Sequence, residues 1–168
     1  MDRRRKELRR KYLELGTGEL AAAAIFALVA IVLILPGFDH PRDKAALCSA
    51  LVPLLIILAQ AGAYWLLARN WVGVQSMPAR LASTYRAFRV TNVALLAAGL
   101  AGVLIWWPPH LGAALLVTAT WGLGAVEYVN YFLVRLAYPV GRWATSVGQW
   151  RVPQLVKDLG AANDECAA

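Results

Sequence analysis

The chain has 168 residues, of which 60% are hydrophobic and 16% charged, and it carries a net charge of +7. A soluble domain has roughly 25% charged residues, and the mean hydropathy here is +0.52. These values exclude an ordinary water-soluble globule, allow one domain, and make the basic balance a membrane signal with no nucleic-acid partner.

The charges are unevenly placed. Leu20 to Leu35 and Ala45 to Ala68 hold none, and from Val90 to Val134 the only formal charge is Glu127. Apolar runs of about 18 residues or more read as membrane spans, and in lipid such runs pair their backbone amides only as helices. The expectation is an all-α, integral membrane four-helix bundle with spans at about 18–35, 45–68, 89–107 and 111–136. It is preceded by a basic arm at 1–17 and followed by an interfacial helix and tail at 139–168.

In the arm, Leu8, Tyr12 and Leu15 share one helical face, and Glu7 is in reach of Arg10 or Lys11. This segment is either a short helix lying on the inner leaflet or a basic tail that sets topology, and in both cases it meets anionic headgroups. Pro36-Gly37 closes the first span. The sequence after it does not fit a leader-peptidase site, so the span is expected to be uncleaved. Cys48 and Cys166 fall on opposite sides of the membrane and predict no disulfide. In the second connection Ser76 is the expected N-cap and Pro78 the first helical residue, so the third helix is allowed to start well before its span. Ala94, Ala98 and Gly102 form a small-residue seam on that helix, for packing within the chain or for a homodimer.

Orientation follows from Lys and Arg. The arm holds Arg3, Arg4, Arg5, Lys6, Arg9, Arg10 and Lys11. The second connection and its flanks hold Arg69, Arg80, Arg86 and Arg89, and the C-terminal region holds Arg135, Arg142, Arg151 and Lys157. Only Arg42 and Lys44 lie on the other side. The positive-inside rule gives both termini to the cytoplasm of a multi-pass protein of a bacterial inner (plasma) membrane. Tyr64, Trp65, Trp71, Tyr128, Tyr131 and Tyr138 gather near the inner boundary and read as an aromatic belt. Trp143, Val147 and Trp150 predict an amphipathic surface helix, and the last residues from Gly160 read as a frayed tail.

The fourth span carries the polar signal. On a helical wheel Thr120, Gly124, Glu127, Asn130, Tyr131 and Tyr138 form one stripe, which should face protein or water. An antiparallel hairpin through Pro108-Pro109 puts Glu127 level with Val90, close in height to Arg89 and Asn92, and the first hairpin puts Glu19 level with Gln60 to Tyr64. The expected inner-leaflet cluster is therefore Glu127, Asn130, Tyr131, Arg89 and Asn92. Two functions follow. One is an Arg89–Glu127 ion pair that locks two helices of a structural or accessory subunit of a membrane assembly. The alternative is a small transporter or a lipid- or ion-binding protein that uses Glu127 in a cytoplasm-facing pocket.

An enzyme is not expected. The sequence has no HExxH, no CxxC, no phosphate-binding glycine loop and no nucleophile–histidine pair on one membrane side, and it shows no cofactor signature. His40, His110, Asp39 and Asp43 in the outer loops read as solvated residues, with no metal site. The run Glu127-Tyr128-Val129-Asn130-Tyr131-Phe132, with Arg135, Leu136 and Tyr138, resembles the last span of small uncharacterised bacterial four-span membrane proteins with an E-Y-x-N-Y pattern. The resemblance covers that span alone and implies no activity.

Overall fold

A computed structural model describes residues 2–134 and 152–167. The described chain is all helix: α1 (Asp2–Val29), α2 (Pro41–Ala68), α3 (Ala79–Ile105), α4 (Leu111–Phe132) and α5 (Gln154–Ala167). The first four are long and apolar enough to cross a membrane. At 1.5 Å per residue α1 and α2 are each about 42 Å long, against about 30 Å of hydrocarbon. Their ends, and the start of α3, therefore stand clear of the lipid core.

The basic arm is the first half of α1, continuous with the span. It neither lies flat as a separate helix nor trails as a tail. Gly16 does not break it, because the missing side chain lets α1 touch α2; a Cβ there would meet the Leu66 side chain at 2.8 Å and the Gly62 carbonyl at 3.0 Å. Thr17 bonds back to the Leu13 carbonyl at 2.8 Å and holds the same turn. Arg3 pairs with Glu7 at 3.8 Å and Arg10 with Glu14 at 3.0 Å. The expected Glu7 partners gave way to these i, i+4 pairs on exposed faces. Beyond Val29 the helix widens into a π turn over Ala30–Ile34, tightens over Leu35–Gly37, and ends at Pro36-Gly37.

α2 is the hub, packing on α1, α3 and α4. Three glycine notches set the distances. Gly62 faces Gly16 across the α1–α2 crossing, where its Cβ would meet the Gly16 carbonyl at 3.1 Å. Gly124 of α4 lies 3.5 Å, measured from an added Cβ, from the Leu54 backbone. Gly99 of α3 sits against the Ser49 carbonyl, 2.7 Å from where its Cβ would be. That carbonyl is exposed to its neighbour because Pro53, buried inside α2, has no N–H to give the residue four before it. A helix break in lipid is tolerated only where a neighbour covers it, and here α3 does so.

The packing face of α3 is Asn92, Leu96, Gly99 and Val103. Ala94 and Ala98 of the expected seam are exposed, and only Gly102 turns inward, onto Ser49. Pro78, expected as the first helical residue, takes the N-cap position of α3 in place of Ser76, and the helix starts one residue later, at Ala79. Asp43 is another departure from expectation. It was read as solvated but is buried in the first turn of α2, where the helix dipole favours a carboxylate.

Large apolar side chains are exposed along the four long helices, among them Leu28, Val90, Ile105, Leu111 and Leu115, as expected of faces turned to lipid. The buried side chains form two clusters. One lies near the far end around Leu47, Val103 and Val117. The other lies at the end that carries the arm, the connection between α2 and α3, and α5. This second region is called the basic end below.

Candidate polar site at the basic end

The aromatic residues at the basic end are a core. Tyr64, Trp71, Tyr85, Tyr128, Tyr131 and Phe132 are all buried, packed with Leu155, Leu159 and Ala162 of α5. Tyr64 is 0% exposed, its ring 5.1 Å from Trp65 and 5.6 Å from Tyr85. The belt expected from the sequence is thus turned inward; Tyr138 lies outside the described residues. The α5 helix replaces the expected frayed tail, and the predicted surface helix around Trp143 and Trp150 also lies outside the described residues.

The polar site is built on this core. Glu127, Asn130 and Tyr131 share one face of α4, as the wheel indicated. The Tyr131 hydroxyl donates to the Glu19 carboxylate of α1 and accepts from the Trp65 indole at 3.2 Å. The Asn130 side chain bonds Glu127, and Glu19 is the charged neighbour that acts on Glu127. Leu15, Glu19, Trp65, Asn130 and Tyr131 line one side of a cleft of about 120 Å³, and Pro153, Gln154 and Leu155 line the other.

The remaining two expected members lie elsewhere. Arg89 is exposed, and among the described residues its guanidinium pairs with no carboxylate. Its backbone carbonyl accepts the Tyr128 hydroxyl at 3.1 Å. Asn92 is fully buried and donates to Gln60 of α2 at 2.6 Å. The expected Arg89–Glu127 contact fails because of rotation about the helix axis; the depth was right. Tyr128 opposite Arg89, and the Trp121 indole on the Leu96 carbonyl at 3.0 Å, match the register expected from the Pro108-Pro109 turn. Tyr128 takes the face toward α3, so Glu127, one residue earlier, points toward α1.

Glu19 and Trp65 were missed as site residues. The signal was present, since Glu19 is the only formal charge between Glu14 and Asp39, and an acid in such a run is a functional residue by default.

Two carboxylates in one low-dielectric site repel, and a positive charge held between them relieves the repulsion. Neutral donors from Tyr131 and Asn130 satisfy some of their oxygens, and the cleft reaches Glu19. No trio of His, Cys, Asp and Glu suited to a bound metal ion occurs among the described residues. No protein-family model, curated protein or solved structure matches this chain. The fold itself, with four candidate spans, is that of a small helical multi-pass membrane protein.

Proposed function

We propose that this membrane protein binds a small monovalent cation or a proton at Glu19 and Glu127, with Tyr131 and Asn130 orienting the two carboxylates. One observation carries the reading. Two acids act on one another inside the bundle, Glu19 lining an open cleft and Glu127 behind it on the face of Asn130, and among the described residues neither has a basic partner. A structural lock would need one, because an uncompensated buried charge is costly. No catalytic step is part of the reading.

The test is a detergent melt in sodium, potassium and tetramethylammonium chloride at constant ionic strength. The expected result is that one of the three raises the melting point of the wild type. A ligand at 100 times its dissociation constant stabilises by about 2.7 kcal/mol. Glu19→Gln and Glu127→Gln should each remove that response, and Glu127→Gln should melt at or above the wild type in the absence of the cation. A Glu127→Gln protein that melts well below the wild type would return the residue to a structural role. A proton site predicts no response to any of the three salts, together with proton release on unfolding that is smaller in both variants.

The basic end faces the cytoplasm in this reading, with the arm among anionic headgroups. Impermeant thiol reagents applied to intact cells should label His40→Cys and His110→Cys but not native Cys166. Labelling of Cys166 from outside reverses the orientation.

A further inference from the structure

The cleft that reaches Glu19 and Tyr131 has a wall that does not belong to the membrane-spanning bundle. Pro153, Gln154 and Leu155, at the start of α5, close it on the side opposite α1 and α4. α5 is held in two ways. Leu155, Leu159 and Ala162, at spacings of four and three, put one apolar face onto the aromatic core. Asp158, on the same helix, reaches into that core. One carboxylate oxygen accepts the Tyr64 hydroxyl at 2.8 Å and the Trp71 indole at 3.2 Å. The other accepts the Gln154 side chain at 2.8 Å, which fixes the residue that lines the cleft.

We propose that α5 is a lid over the Glu19–Tyr131 cleft, fastened by Asp158 to Tyr64 and Trp71. The proposal rests on the reading of that cleft as a binding site, but its geometry is independent of what binds there. The fastening is specific and small. Among the described residues it consists of the Asp158 carboxylate and the apolar side chains of Leu155, Leu159 and Ala162, whereas α2 holds α1, α3 and α4 through extended interfaces. The outward side of α5, with Lys157, Gly160 and Ala161, is exposed. The fastener and the site meet on consecutive residues of α2. Tyr64 bonds the lid while Trp65, ring-packed against it, bonds Tyr131 in the cleft. Opening α5 unmasks Glu19 from the basic end without disturbing the crossings that α2 makes with α1, α3 and α4.

The test uses the full chain in nanodiscs, where both faces are accessible, in a Cys48→Ser, Cys166→Ser background. Asn130→Cys places a thiol in the cleft, and Val74→Cys, on the exposed connection, gives the reference. An impermeant maleimide should label the cleft thiol far more slowly than the reference. Asp158→Ala should raise the cleft rate at least about tenfold, as expected for the loss of two hydrogen bonds to a charged acceptor, and leave the reference rate unchanged. The paired change Tyr64→Phe with Trp71→Phe removes both donors and keeps aromatic rings in place, so it unfastens the lid even where Asp158→Ala yields no folded protein. Equal labelling of cleft and reference with Asp158 intact would show that nothing covers the site. An unchanged cleft rate in the paired variant would show that Asp158 does not fasten it. Either result overturns the lid and leaves the cation titrations to stand or fall separately. Lid-dependent labelling without any cation effect would remove the proposed ligand and leave the lid.

Discussion

Gly99→Val should be among the most damaging single substitutions in the bundle, costing about 3 kcal/mol or more, at the upper end of what overpacking produces. The first atom of the new side chain would stand 2.7 Å from the Ser49 carbonyl and 2.9 Å from Pro53. The carbonyl is backbone and cannot turn aside, and Pro53 fixes the local geometry of α2. Relief requires α3 to back away, which uncovers the very carbonyl that Pro53 leaves without its helical partner. In lipid no water replaces that contact. Glycine-to-alanine at Gly122, where an added Cβ meets nothing within 4 Å, is the matched control and should be close to neutral. Melts of both variants in one detergent check the expectation, and equal melting points would show that the α2–α3 distance is not set by Gly99.

Tyr64→Ala should cost about 3–5 kcal/mol, the range for removing a large buried ring. The ring touches Trp65, Trp71 and Tyr85 and is fully enclosed, so its loss leaves a hole between α2, α3 and α5. Tyr64→Phe should cost only about 1.5–3 kcal/mol, since it forfeits a single hydrogen bond to a charged group. The two variants thus separate the packing of the ring from the fastening of Asp158. A Tyr64→Ala protein no less stable than Tyr64→Phe would mean that the basic-end core is loosely packed.

The four spans were legible because charge-free runs of that length have one physical outcome in a bilayer. Axial depth was legible too, since Pro108-Pro109 leaves little slack in the turn and places Tyr128 level with Arg89. Rotation was not legible for α3. From Val93 to Ile105 its faces are apolar all round, and with lipid as solvent the usual contrast between a wet and a buried face vanishes, so nothing in that stretch said that Asn92 and Gly99 face α2. Tyr64 and Trp71 were misread for a related reason. The same rings suit the membrane boundary and a protein core, and only the helix that covers them decides between the two. That helix is amphipathic through Leu155, Leu159 and Ala162, but it is short and falls where a frayed end was the simpler reading. Glu127 and Asn130 were found because polar groups in an apolar run stand out. Their partner Glu19 was placed at the right depth and left unconnected, because it lies more than a hundred residues away in the chain.

The central position of α2 has a consequence for the order in which the protein is made. The α1–α2 crossing at Gly16 and Gly62 joins neighbours in sequence, so this hairpin can settle as soon as both helices have left the ribosome. Glu19 then lies in a half-built bundle without its Tyr131 donor until α4 is synthesised and finds the remaining face of α2. The Tyr131 bond to Glu19 therefore forms only when the last span arrives. A chain cut short before α4 keeps both glycines of the first crossing but lacks the hydroxyl that Glu19 accepts, so the last span completes the site that the first one begins.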